Sequence, residues 1–185
     1  MAVIVSLLRA VNVGGRNQIR MDALRALYES LGLRDAQTYV QSGNVVFKSA
    51  ARDLVPLRKR IEDAIERTAG FRPAVILRTP AELRKVIAKN PFGARRDIHP
   101  GKLLVTFLAS DPGPEARAQV LKIRTDPEEL RIQGSEVYVY YPNGSGRSKL
   151  PMALIEKTLQ VTGTGRNWNT VTKLLEIAEK LEASA

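Results

Sequence analysis

The stretch TYVQSGNVVFK, residues 38–48, places Thr38, Val40, Val45 and Phe47 on either side of Ser42-Gly43. β-Branched and aromatic side chains suit a pleated, half-buried surface. A small residue followed by glycine supplies the backbone freedom of a tight turn, so the segment predicts a hairpin with a two-residue loop. Before it, residues 3–8 form an unbroken apolar run suited to a strand buried on both faces, and Met21, Leu24, Tyr28 and Leu31 recur at helical spacing until Gly32. After it, Asp53 stands as a cap before a stripe of Leu54, Leu57, Ile61, Ala64 and Ile65, with Gly70 as the stop. RPAVILR, residues 72–78, reads as one more strand. The resulting order is β-α-β-β-α-β, that of a ferredoxin-like plait.

A second pass through similar elements follows. Thr79-Pro80-Ala81-Glu82 combines a cap, proline at the first helical position and a glutamate three residues on, which opens a short helix to residue 90. Pro91 ends it, NPFGARRDIHPG (90–101) forms a loop, and residues 102–108 are the next strand. A helix over 114–123 leads to a second hairpin, ELRIQGSEVYVYY (129–141), turning at Gly134-Ser135, and helices over 149–160 and 168–181 close the chain. Residues 39–46 align without gaps on residues 131–138, as a degenerate duplication or as chance likeness between two hairpins. The expected class is α+β. A ferredoxin-like half spans 1–78, and a degenerate β-α-β-β-α half with a C-terminal helix spans 79–185, the two packed as one compact unit.

Hydrophobic residues make up 44% and charged residues 26%, ordinary for a folded globular chain. The N-terminal apolar run is too short to span a bilayer and lacks the basic leader of a signal peptide. There is no cysteine, hence no disulfide framework or thiolate chemistry. A cytoplasmic protein is expected, without membrane contact, and the oligomeric state is not legible. The net charge of +10 is uneven, with residues 1–95 holding 17 Lys/Arg against 8 Asp/Glu. That asymmetry fits a nucleic-acid face, but also the solvated helix surfaces of segments such as LRKRIEDAIER.

His99 is the single histidine and the carboxylates do not cluster at ligand spacing, so no metal site and no cofactor is expected. A Ser-His-Asp triad would rest on a histidine in a Pro/Gly loop with no nucleophile elbow in the chain, and His99 reads as a loop residue. No catalytic residue can be named.

Four turns stand out as rich in donors and poor in acids: RAVNVGGRNQ (9–18), QSGN (41–44), NGSGRSK (143–149) and GRNWN (165–169). Three lead into helices, whose unpaired N–H groups and dipole favour an anion. In NGSGRSK, glycines permit close approach, Ser148 can cap a helix, and Arg147 and Lys149 add charge; a flexible turn with an ordinary cap is the plain alternative. It is neither a Walker motif nor a dinucleotide fingerprint. In the first turn Arg9 ends a buried strand and Gly14-Gly15 precede Arg16, as an anion nest or a hairpin-like excursion. In the last, Trp168 begins a stripe with Val171, Leu175 and Ala178, which makes it a core anchor behind an Asn167 cap and leaves Arg166 and Asn169 to face a ligand.

LLRAVNVGGRNQIRMDALRALYESLG, TYVQSGNVVF, NPFG, YYPNGSGRSKL and GRNWNTVTKLLE together resemble, in order and over essentially the whole chain, the bacterial family catalogued as domain of unknown function 1697. Ala10 departs from the resemblance, which has glycine there. The resemblance implies a compact α+β fold of ferredoxin-like topology in a bacterial cytosol, and no reaction. Its blocks coincide with the donor-rich turns, which joins Arg9, Asn12, Arg16, Gln41, Asn44, Arg147, Ser148, Lys149, Arg166 and Asn169 into one expected site. The expected partner is an anionic small molecule, phosphorylated or nucleotide-like. The alternative is a nucleic acid on the basic first half.

Overall fold

The computed structural model describes residues 1–150 and 152–184. By contacts the chain divides into a first unit, Met1–Arg84 with Lys173–Ala185, and a second, Lys85–Thr172. The sequence-expected boundary at 78/79 lies ahead of that division, and the end of the chain is grouped with the first unit.

In the first unit, β1 (Ala2–Leu8), α1 (Met21–Ser30), β2 (Arg34–Tyr39), β3 (Asn44–Ser49), α2 (Leu54–Ala69) and β4 (Val75–Arg78) follow the order read from the sequence. The antiparallel sheet runs β2-β3-β1-β4, so each helical connection skips one intervening strand, a split β-α-β pattern. Ile4, Leu8, Val45, Phe47, Val75 and Leu77 form one sheet face, on which α1 and α2 lay Leu24, Leu27, Tyr28, Leu57, Ile61 and Ile65. The helix ends are built as the sequence suggests: Asp53 Oδ1 accepts from the Val55 amide at 2.8 Å, and Gly70 closes α2 at φ 75°. The capping box then opens α3 (Pro80–Ala88), with the Thr79 amide donating to Glu82 Oε2 at 2.7 Å and the Glu82 amide to Thr79 Oγ1 at 3.2 Å.

The second unit repeats this plan. β5 (Leu103–Leu108), α4 (Gly113–Val120), β6 (Glu129–Gln133), β7 (Glu136–Tyr140), α5 (Met152–Leu159) and β8 (Gly163–Asn167) give an antiparallel sheet ordered β6-β7-β5-β8, before the final helix α6 (Trp168–Ala183). The sequence reading lacked β8. Its residues, GTGRN, carry no apolar run, and the strand forms because its backbone pairs along β5, from Leu104↔Asn167 to Leu108↔Gly163. Gly163 has a steric reason: a Cβ there would stand 2.7 Å from Thr106 Cγ2. The second half is therefore a full β-α-β-β-α-β set, and the degenerate β-α-β-β-α reading is corrected on this point.

The hairpins differ in a way that gapless alignment hides. Gln133 pairs with Glu136 across the two residues Gly134-Ser135, whereas Tyr39 pairs with Asn44 across four, so the first loop is Val40-Gln41-Ser42-Gly43 and not Ser42-Gly43 alone. Gly43, at φ 75°, tucks in so closely that a Cβ would lie 2.9 Å from Leu8 Cβ. Helix α5 also starts later than expected, at Met152, and residue 151 of the expected helix lies outside the described residues.

Candidate functional site

In the first unit the long loop after β1 is tied down by one side chain. Asn12 Nδ2 donates to the Ile19 carbonyl at 3.0 Å and the Gln41 carbonyl at 2.8 Å, and its Oδ1 accepts from the Ile19 amide at 2.9 Å. Ala10, Asn12 and Asn17 sit in the left-handed region at φ 55°, 55° and 51°, and Asn17 Nδ2 donates to the Ala10 carbonyl. Asn44, fully buried, holds the hairpin loop by donating to the Tyr39 carbonyl and Ser42 Oγ. The two asparagines expected to orient a ligand thus spend amide groups on the loops. Arg16 and Gln41 are exposed at their surface, and Arg9 is half-buried with its amide donating to the Ala74 carbonyl. A shallow depression of about 410 Å³ lies among Asn12, Gln18, Ile19, Arg20 and Gln41.

The second unit gathers the NGSGRSK turn against a segment that sequence reasoning did not single out. A pocket of about 280 Å³ is lined by Arg124, Asp126, Glu128, Asn143, Arg147 and Lys149, with Thr125, Pro127 and Leu150 completing the wall. Gly144, at φ 82°, admits a single 3-10 turn, Ser145–Arg147, and Ser148 Oγ then accepts from the Leu150 amide at 3.0 Å. Ser148 caps this turn ahead of α5. Lys102 Nζ anchors the start of the turn by donating to the Pro142 carbonyl at 2.6 Å. Opposite, the Glu128 amide donates to the Thr125 carbonyl and Thr125 Oγ1 to the Glu128 carbonyl, which closes residues 125–128 on themselves. Arg124 and Asp126, both strongly exposed, stand 4.0 Å apart. The signal that could have found this wall is the RTDPEEL run itself, a charged turn between a helix and a strand.

Arg166 and Asn169 are not among the pocket-lining side chains. Arg166 belongs to β8, not to a turn leading into a helix, and is 5% exposed. Its Nη1 donates to Thr164 Oγ1 and to the Gly165 carbonyl, both at 2.8 Å, and burial pushes its guanidinium down to about 10. Asn167 caps α6 as expected, its Oδ1 accepting from the Asn169 amide at 3.0 Å while its Nδ2 donates to the Gly101 carbonyl. Trp168 is only half-buried. The buried stripe is Val171, Leu174, Ala178 and Leu181, one step round the helix from the one expected. His99 is a turn residue, its Nδ1 accepting from the Gly101 amide.

Some basic side chains of the first unit are engaged locally. Arg72 reaches Glu62, Asp63 and Glu66, Arg84 reaches Glu179 and Glu182, Arg58 lies 4.0 Å from Glu62, and Arg60 donates to the Leu31 carbonyl. Among the described residues no three His, Asp or Glu side chains gather as metal ligands, and no helix is long and apolar enough to cross a membrane.

Among curated proteins none matches the chain. A solved structure of a conserved bacterial protein from Streptococcus pneumoniae is similar in fold, with a TM-score of 0.74 at 22% identity, covering 97% of this chain and 99% of that one. Residues 1–138 match the family described as protein of unknown function DUF1697, and the chain belongs to that family.

Proposed function

We propose that the protein binds an anionic small molecule, phosphorylated or nucleotide-like, in the pocket of its second unit. The observation that carries this reading is the placement of Arg147 and Lys149 in one concavity beside Arg124 and Asn143, with no carboxylate paired to either Arg147 or Lys149 among the described residues. Such a set meets a phosphate or carboxylate through charge-assisted hydrogen bonds. The volume, about 280 Å³, is at the small end of ligand pockets and suits a compact metabolite. The reading assigns binding and not turnover, in the cytoplasm of a bacterial cell.

Thermal-shift and calorimetric titration with inorganic phosphate and phosphate monoesters test it. Binding should be lost in Arg147→Ala and Lys149→Ala and kept in Arg52→Ala, an exposed residue of the other unit. The alternative, nucleic-acid binding, predicts instead an oligonucleotide affinity that falls steeply with salt and drops with changes at Arg52, Arg58, Arg60 and Arg67. The main-chain engagement of Arg60, whose Nη2 donates to the Leu31 carbonyl at 2.8 Å, weighs against that alternative.

A further inference from the structure

The acidic side of the pocket holds a group that the anion reading does not use. Glu128 is 8% exposed and lines the pocket, and among the described residues no hydrogen bond or ion pair engages its carboxylate. Its main chain is committed on both sides to Thr125, at 2.9 Å through its amide and 3.0 Å through its carbonyl, so the residue is held in place by its backbone while its acid group is left over. Nearby, the Tyr141 phenol is pushed up by burial and, in second place, by the charge of Glu128. The side chain is thus mostly covered while its carboxylate oxygens, which are not sealed from solvent, open on the pocket without a protein partner, where a ligand donor can meet them.

The charges around it set what that partner is. Arg124 and Asp126, 4.0 Å apart, offset one another at the exposed rim. The charges that remain are the cations Arg147 and Lys149 and the single anion Glu128. Their complement is a molecule with a doubly charged anionic group and one positive charge. A phosphate monoester near neutral pH carries about −1.5 to −2, and a protonated amine supplies both the positive charge and the N–H donors that a carboxylate accepts.

Resting on the anion-binding reading above, we propose that the ligand is a small phosphorylated amine, its phosphate held by Arg147 and Lys149 and its ammonium group by Glu128. Glu128 is then the residue that separates aminated from non-aminated phosphates.

Calorimetric titration of the full chain with phosphoethanolamine and with ethyl phosphate, which differ only in the amine, tests this. The expected result is a preference for phosphoethanolamine of at least about tenfold, carried by a charge-assisted bond. That preference should vanish in Glu128→Gln, which keeps the shape and removes the charge, while ethyl phosphate binds the variant at least as well as the wild type. Equal affinity of the wild type for both compounds, with binding lost in Arg147→Ala, would overturn the amine proposal and leave the anion reading standing. No binding of either compound would overturn both. The unfolding midpoint of Glu128→Gln without ligand should match that of the wild type, since no hydrogen bond or ion pair of the Glu128 carboxylate is lost among the described residues. A lowered midpoint would make Glu128 a structural residue and also overturn the proposal.

Discussion

At the scale of single residues, positions in the left-handed region and glycines at close approaches decide how the loops sit. Ala10 adopts φ 55°, where a Cβ is strained, at the place where the family resemblance has glycine. Ala10→Gly should therefore stabilise the protein by about 0.5–1 kcal/mol, read as a raised urea midpoint. Gly163 has the opposite requirement. Gly163→Ala drives a methyl to 2.7 Å from Thr106 Cγ2 and 3.0 Å from Leu108 Cδ2, and should cost about 1–3 kcal/mol, part of it recovered when Thr106→Ser removes the opposing methyl. Asn12→Ala should cost about 1–3 kcal/mol by breaking its bonds to Ile19 and Gln41, and should speed hydrogen exchange at the Ile19 amide. The sequence marked Asn12 as notable but could not say why, because an asparagine that orients a ligand and one that ties two loops together are the same letter in the chain.

At the scale of elements, caps and stripes were legible and β8 was not. The Asp53 cap, the Thr79-Glu82 box and the Asn167 cap act over two or three residues, so the chain encodes them locally. Asn167→Asp should keep the α6 cap and lose the donation to the Gly101 carbonyl, costing about 1 kcal/mol, whereas Asn167→Ala loses both and should cost about 2 kcal/mol. Trp168, the single tryptophan, reports on this directly: being half-buried, its emission should shift to the red in Asn167→Ala as the helix start frays. β8 escaped because a glycine-rich polar segment has no strand propensity of its own. Its pairing partner β5 lies more than fifty residues earlier, and only the folded sheet presents the edge that it completes.

At the scale of the molecule, the first unit is discontinuous in sequence, since the Arg84 pairs with Glu179 and Glu182 and the Lys48 Nζ bond to the Ser184 carbonyl join its ends. Deleting residues 173–185 removes buried Leu174, Ala178 and Leu181 and should lower stability by several kcal/mol, at roughly 1.5–3 kcal/mol for each large side chain. The response to alkaline pH is governed by buried phenols and one buried guanidinium. Burial holds Tyr28, Tyr138 and Tyr141 above the ordinary phenol value, so in the folded state they keep protons that the unfolded chain has begun to lose. Their contribution is whole below about pH 10 and is lost as pH rises through that value. Arg166, pushed down to about 10, works the other way, because the unfolded chain binds its proton more tightly from there upward. Three phenols oppose one guanidinium, so urea midpoints should fall above pH 10, and Tyr28→Phe should make that fall shallower while losing the 2.8 Å bond to Ser6 Oγ at neutral pH.

By itself the sequence determined the α+β class, the β-α-β-β-α-β order of the first half, the helix caps and the identity of the donor-rich turns. These follow from hydrophobic periodicity and from hydrogen bonds spanning a few residues, interactions local enough to be read along the chain. Only the tertiary structure decided that β8 completes a second sheet, that Arg166 is buried in it, that Asn12 and Asn44 secure loops, and that Glu128 shares a pocket with Arg147 and Lys149. Each of these depends on groups distant in sequence being brought together by backbone pairing and burial, and a linear pattern carries no record of which distant edge or charge a residue will meet.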